Sequence, residues 1–386
     1  MLIGVPKETF PGECRVALVP TAVAHLKKAK LEVVVEEGAG ALAGFPDAAY
    51  QHAGAALCDA RAKVFADADV IVQVRGLGAN PEGWRADLDL AHADQTFIAT
   101  MDALGSMEPA LEAARRNLAT FALDLTPRIT RAQAMDVLSS QANLAGYKAV
   151  LFAANAIPKI FPMLMTAAGT ITPAKVLVVG AGVAGLQAIA TARRLGGVVS
   201  AYDVRPAAKE QVESLGARFV QLPVVTEAAQ DTGGYAKALG AEFYARQAEL
   251  MTQVVAESDV VITTAAVPGQ KAPILITRPM VEQMQPGSVI VDLAAERGGN
   301  CELTQPGETL IHQGVTVMGP LNLSSTLAHH ASQLFAKNIS AFLLNMVKDG
   351  KLQPDTQDEI VCETQLTAGG KVVHPKLRER LGSGAP

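Results

Sequence analysis

The sequence predicts an α/β fold, built as two parallel-sheet domains with a cleft between them. Three observations predict it. A chain of 386 residues exceeds what one ordinary core organises. Short apolar runs alternate with helix-period segments along most of the chain, which calls for a parallel sheet covered on both faces. The stretch Lys175 to Arg205 reads as strand, tight glycine turn, helix, strand and acid, the unit from which a Rossmann-like domain is made.

In the first half, Leu2–Val5, Glu32–Val35, Asp69–Val74, Thr96–Thr100 and Thr120–Leu123 read as strands, with helical patterns such as Thr21–Lys28 and Glu108–Asn117 between them. Asp136 to Ile157 reads as one long helix leading toward the glycines. Beyond Asp203 come a helix at Ala207–Leu215 and strands near Arg218–Leu222, Asp259–Thr264, Ser288–Asp292 and Val315–Met318, with turns at Pro286-Gly287 and Pro306-Gly307. A helix from Leu327 to Val347 then returns the chain to its first unit. The expected domains are therefore 1–138 with 328–386, and 139–327. Ligands of such open sheets sit at the carboxyl ends of the strands, so the cleft between the units is the expected seat of the reacting end of a ligand.

Each residue of the central motif has a stated task. Gly180 permits the turn, Gly182 lets a pyrophosphate approach the backbone, and Gly185 lets the helix pack close to its strand. Val183 and Ala184 open the helix, whose free N–H groups and partial positive charge favour phosphate. Asp203 lies about 20 residues further on, where a carboxylate accepts the hydroxyls of an adenosine ribose. It repels a 2′-phosphate, which favours NAD(H). Arg205 is read as a solvated residue opening the next helix, although it is placed where it could meet that phosphate.

Composition narrows the classes. With 49% hydrophobic and 18% charged residues the chain is globular. A net charge of −5 gives no reason to expect nucleic acid or anionic lipid. Cys14, Cys58, Cys301 and Cys362 are scattered with no CxxC pair, which fits reduced thiols in a cytosolic protein and argues against disulfide or metal. No signal peptide is expected from the first residues, and no apolar run approaches the roughly 18 residues of a membrane span. His329 and His330 are adjacent and so point to different sides of a helix; no nucleophile or acid–base constellation stands out.

Two further stretches draw attention. Residues Leu222 to Glu242 lack periodicity and carry Gly233-Gly234 beside Tyr235, the composition of a lid or binding loop, or of an ordinary surface excursion. The stretch from Thr126 to Asn143 is dense in hydrogen-bonding side chains. Arg128 could hold a phosphate or a carboxylate, while Gln133 and Asp136, three apart, would share a helical face. The alternative is that Thr130 caps the helix, Asp136 pairs with Lys148 or Arg131, and Gln133 is solvated.

The segment Met1-Leu2-Ile3-Gly4-Val5-Pro6-Lys7-Glu8, followed by Gly12-Glu13-Cys14-Arg15-Val16-Ala17, resembles the N-terminal signature shared by alanine dehydrogenase and the NAD(H)-binding alpha subunit of proton-translocating transhydrogenase. The run from Pro127 to Gln141 closely resembles the transhydrogenase loop that contacts NAD(H), and Met165–Thr170, Gly180–Ala192 and Lys209–Gly216 extend the resemblance almost end to end. Gly233-Gly234-Tyr235-Ala236-Lys237 is similar to the mobile loop that closes over the nucleotide in that branch.

That resemblance implies Re/Si-specific hydride transfer between NADH on this chain and NADP⁺ on a partner domain. Arg128, Gln133 and Asp136 would place the dihydronicotinamide, with Ser139 assisting and Tyr235 on the lid; Ile129, Thr130 and Arg131 would complete the loop, and Gly234 would line the lid. Asp203, Val204 and Arg205 would border the adenosine, while Gln247 and Ala266 would line the same pocket. It also implies a homodimer, peripheral on the cytoplasmic face of a membrane, docked on an NADP(H)-binding beta subunit and on membrane-spanning subunits that conduct protons. No metal is implied. An alanine dehydrogenase would keep a lysine after the strand Asp69–Val74 and a histidine after Thr96–Ala99; here stand Gln73 and Arg75, then Thr100, Met101 and Asp102. Since transhydrogenases also tend to carry a histidine at or near Thr100, that region departs from both branches. The rival readings are an alanine-dehydrogenase-like oxidoreductase and a non-catalytic NAD-binding module.

Overall fold

The computed structural model describes residues 1–221, 251–266 and 269–382. The chain divides into two compact units, Met1–Gln141 with Ser325–Pro386, and Ala142–Ser324.

The first unit carries an eight-stranded sheet. Its parallel part consists of β1 (Leu2–Val5), β2 (Glu32–Glu36), β3 (Ala56–Cys58), β4 (Val70–Arg75), β5 (Thr96–Thr100) and β6 (Ala119–Ala122), in the spatial order 3-2-1-4-5-6. That is the doubly wound order, with its switch point between β1 and β4. Alternate side chains serve opposite faces: Val70, Val72 and Val74 enter one apolar cluster while Ile71 enters the other. Both faces being covered, these strands read as continuous apolar runs. The sequence reading missed β3, whose three residues are too short for a periodicity to register.

The second unit places β7 (Leu164–Thr166) and β8 (Gly169–Ile171) in a hairpin. Its main sheet holds β9 (Lys175–Val179), β10 (Val198–Tyr202), β11 (Arg218–Phe219), β12 (Val260–Thr263), β13 (Val289–Asp292), β14 (Thr309–His312) and β15 (Val315–Met318). Their spatial order is 11-10-9-12-13-15-14, parallel except for β14, which the sequence reading also missed. The switch point lies between β9 and β12. Again the faces alternate, with Val176 and Val178 in one cluster and Leu177 and Val179 in the other.

Chain ends close the first sheet. A helix over Ala328–Asn345 packs on the first unit's core through Phe335, Ile339 and Phe342. After a short hairpin of β16 (Val347–Lys348) and β17 (Lys351–Leu352), β18 (Gln365–Ala368) pairs antiparallel with β6, and β19 (Lys371–Val372) pairs with β18. Thr120 and Thr367, 2.8 Å apart and fully buried, tie that added edge to the parallel strands. No helix among the described residues is long and apolar enough to cross a membrane.

Candidate functional site

The glycine turn lies at the carboxyl end of β9. Gly180 has φ +97°, a left-handed conformation that favours glycine, and a Cβ there would lie 2.7 Å from Thr264 Oγ1. A Cβ on Gly185 would meet the Gly180 carbonyl oxygen at 1.9 Å, so helix and turn share a contact only hydrogen can fill. Gly182 differs from both: among the described residues, a Cβ there would meet no atom within 4 Å. Its exposure, and a helix start at Val183 with glycine in the cap position, leave backbone N–H groups without a side-chain cap among the described residues. A helix start of this kind favours phosphate by its N–H groups and its charge. The helix Val183–Arg194 closes with Arg193 and Arg194 in its last turn, complementing the dipole, and stops at Gly196 with φ +89°.

The turn is braced across the switch point. Thr264, just past β12, donates its hydroxyl to the Gly180 carbonyl at 2.9 Å. Ala265 next to it is clamped by the fully buried Asn300: Nδ2 donates to the Ala265 carbonyl at 2.8 Å and Oδ1 accepts the Ala265 N–H at 2.9 Å. Asn300 is fixed in turn by Asp292 at the end of β13. That carboxylate, also fully buried, accepts the N–H groups of Ala294, Asn300 and Cys301 and the hydroxyls of Thr263 and Thr304. Sequence reasoning missed Asp292, Asn300 and Thr304. A polar residue at a strand end was the available signal, but the bonds run between segments far apart in sequence. Ala266 follows directly and is exposed. Behind the turn, a Cβ on Gly146 would come within 2.1 Å of the Ala184 carbonyl oxygen, so the helix Val137–Ala156 supports the glycine helix at backbone contact.

Asp203 stands at the end of β10 with its side chain 6% exposed. Oδ2 accepts the Ala181 N–H at 2.7 Å and the Arg205 Nη2 at 2.8 Å, while Oδ1 accepts the Arg205 N–H at 2.8 Å and Nε at 2.9 Å. This corrects the expectation for Arg205. It is not a solvated helix opener but is folded back on Asp203, whose hydrogen bond raises the guanidinium further above its ordinary value. Val204 packs partly buried beside the second cluster of this unit.

In the first unit the polar loop takes a form the sequence did not indicate. Thr130–Met135 is a 3₁₀ helix, and the long helix begins only at Val137. Asp136 caps that helix: Oδ1 accepts the Ser139 N–H at 2.9 Å and Oδ2 accepts its hydroxyl at 2.6 Å. The structure thus brings Asp136 and Ser139 together and replaces both Thr130 as cap and the pairing of Asp136 with Lys148 or Arg131. Ala132 and Met135 are buried, which leaves Gln133 on the exposed side, and Arg128 is exposed as well. Ile129 packs against the first core. Arg131 is engaged elsewhere, with both its Nη atoms on Asp358, and this holds the Asp358 carboxyl well below the usual carboxylate range. Asn338, on the helix Ala328–Asn345, donates to the Ala134 carbonyl at 2.8 Å and supports the loop from behind.

The first unit's own switch point is filled by side chains. Glu8, beyond β1, accepts the N–H groups of Val74 and Arg75 at 2.6 and 3.1 Å. Burial pushes its carboxyl up to about 8, with Glu13 adding to the shift. Glu13 and Arg15 are paired at 2.6 Å, and Arg75 lies 4.2 Å over the Phe10 ring. Gln73 is buried and donates to Asp87, Thr100 donates to the Val74 carbonyl, and the N–H groups of Met101 and Asp102 donate to Asp124, whose carboxyl burial raises. Gly234, Tyr235 and Gln247, with the whole 222–242 segment, lie outside the described residues. No metal-binding group of histidine, cysteine or carboxylate side chains occurs among the described residues.

Two doubly wound units, one carrying a dinucleotide turn with an acid at the end of the next strand, define the class: a two-domain nucleotide-binding α/β protein. The family descriptions Alanine dehydrogenase/PNT, N-terminal domain and C-terminal domain match residues 4–145 and 149–375. The chain belongs to the alanine dehydrogenase/PNT family. It is 47% identical to the NAD(P) transhydrogenase alpha subunit, first of its parts, of Rhodospirillum rubrum over 389 aligned positions, all of both chains. It superposes on the crystal structure of transhydrogenase from Sinorhizobium meliloti with TM-score 0.84 and 46% identity, covering 97% of this chain and 100% of that one. Alanine dehydrogenase of Halomonas elongata is more distant, 28% identical over 99% of this chain and 97% of its own.

Proposed function

We propose that this chain is the NAD(H)-binding alpha subunit of a proton-translocating, Re/Si-specific NAD(P)⁺ transhydrogenase. Identity of 47% to a transhydrogenase alpha subunit against 28% to an alanine dehydrogenase carries the choice within the family, and positions 73 and 75, beside the non-histidine positions 100–102, accord with it. The side chains there are glutamine, arginine, threonine, methionine and aspartate, and Gln73, Thr100 and the Met101–Asp102 backbone are spent on internal hydrogen bonds. Neither lysine nor histidine stands there to bind an amino acid or to move its proton. Similarity to the named transhydrogenase subunits over the full chain supports the same reading.

Bound dihydronicotinamide supplies the hydride. The protein's role is placement. The N–H groups at the start of the helix Val183–Arg194 would hold the pyrophosphate, and Asp203 would accept the adenosine ribose hydroxyls. Arg128, Gln133, Asp136 and Ser139 would orient the nicotinamide end, with Ile129, Thr130, Arg131, Val204, Gly234, Tyr235, Gln247 and Ala266 completing the contacts and Arg205 bordering the adenosine. A direct hydride transfer requires close, aligned ring carbons and no proton donor, which accords with a site in which no nucleophile or acid–base constellation stands out. NADP(H) would be carried by a beta-subunit domain, and the chain would act as a homodimer, peripheral on the cytoplasmic face of the membrane that holds the proton-conducting subunits.

Mixing the purified chain with an NADP-binding transhydrogenase domain tests this directly. NADH should reduce an NADP⁺ analogue only when both components are present. NADH consumption with pyruvate and ammonia by the chain alone would establish the alanine-dehydrogenase reading instead, and NADH binding without exchange would leave a binding module.

A further inference from the structure

The carboxylate of Asp203 has more donors than a nucleotide site would leave it. A carboxylate offers about four acceptor positions. Four N–H donors fill them, and they fall into two kinds. The N–H groups of Ala181 and Arg205 are backbone donors that cannot leave without undoing the turn and the strand end. The other two, Arg205 Nε on Oδ1 at 2.9 Å and Nη2 on Oδ2 at 2.8 Å, belong to one side chain, which can change rotamer without moving the backbone. Their number and placement match the two hydroxyls of a ribose, one donor to each carboxylate oxygen. With its side chain 18% exposed, Arg205 lies over an acid that is itself 6% exposed.

We propose that the Arg205 guanidinium is an internal stand-in for the adenosine ribose diol, so that NAD(H) enters by displacing it from Asp203. This rests on the dinucleotide reading of the site and goes beyond it by assigning Arg205 a competing role. The pairing with Arg205 keeps a buried carboxylate compensated, at the expense of affinity for the nucleotide. Charge-assisted bonds of this kind are the stronger hydrogen bonds, so the competition is measurable. It also confines the effect to the adenosine half of the ligand. The nicotinamide half makes no use of Asp203 and gains nothing from removal of Arg205.

The experiment measures dissociation constants of the full chain for NADH, ADP-ribose and reduced nicotinamide mononucleotide, in wild type, Arg205→Met and Arg205→Lys. Arg205→Met should bind NADH and ADP-ribose more tightly, on the order of three- to tenfold, with the mononucleotide unchanged. Arg205→Lys, which cannot bridge both oxygens at once, should fall between. In the wild type, the Arg205 Nε–H resonance should lose its ion-paired shift on titration with ADP-ribose, a readout that does not depend on any variant folding. NADH bound equally or more weakly by both variants, or an Arg205 resonance that stays paired in the complex, overturns the assignment alone. A wild-type chain without affinity for NADH overturns it together with the function on which it rests.

Discussion

Gly185 packs on Gly180 so closely that a methyl group on the first would lie 1.9 Å from the carbonyl oxygen of the second. A Cβ on Gly182, between them in sequence, would meet none of the described residues within 4 Å. The same residue type therefore serves two ends three positions apart, and substitution separates them. Gly185→Ala forces helix and strand end apart and should destabilise the chain by about 1–3 kcal/mol, read as a lower midpoint in urea. Gly182→Ala, at φ −75° and with open space around it, should unfold at the wild-type midpoint while NADH binding weakens on the order of tenfold or more. Equal stability losses in the two would contradict a ligand-facing Gly182.

Asp136 tests whether the polar loop is more than a helix cap. Asparagine caps about as well as aspartate, so Asp136→Asn should keep the melting temperature of the wild type. The proposed exchange with an NADP-binding partner should nevertheless slow by on the order of tenfold, with a smaller change in NADH affinity. Arg128→Ala should behave in the same way. If rate and affinity fall together, these side chains act as simple binding groups.

Asn300 predicts a different phenotype. Its amide satisfies both backbone groups of Ala265 and reaches the Pro273 carbonyl as well. Asn300→Ala leaves those half-buried groups without the Asn300 amide, at about 1–3 kcal/mol for each that water does not reach. Lower stability and weaker NADH binding should appear together, because Thr264 and the Gly180 carbonyl it holds lie beside the same segment. Normal binding in a destabilised Asn300→Ala would separate the brace from the site.

Glu8 supplies a pH dependence with a definite sign. Its carboxyl sits at about 8 in the folded chain against an ordinary 4.5, because burial outweighs the two backbone N–H groups it accepts. Between those values the folded state holds a proton that the unfolded state has released. The Glu8 contribution is therefore complete below pH 4.5, declines as pH rises toward 8, and levels off above it. Glu8→Gln, neutral throughout, should flatten the fall in melting temperature from about pH 5 to about pH 8. An unchanged slope would mean that Glu8 is ionised in the folded protein at neutral pH.

Much of this was legible in the residues. Apolar runs such as Val176–Val179 and Val70–Val74 announce buried parallel strands, because a strand covered on both faces has no polar side to show. Three glycines between strand and helix, with an acid at the end of the next strand, announce a nucleotide turn because each spacing answers a backbone requirement. The short β3 and the antiparallel β14 escaped notice, the first for lack of length and the second because its pattern gives no direction of pairing.

From the sequence alone came the alternation of strand and helix, the dinucleotide turn and the polar loop, since all three are written in local spacing and residue type. Tertiary structure alone decided that Arg205 turns back onto Asp203, that Arg131 is spent on Asp358, that Glu8 fills the first unit's switch point, and that Asn300 clamps the end of β12. Hydrogen-bond partners are chosen by proximity in space and by what burial leaves unsatisfied. Periodicity along a chain records which face is apolar, but not which distant group will come within about 3 Å of a given polar atom.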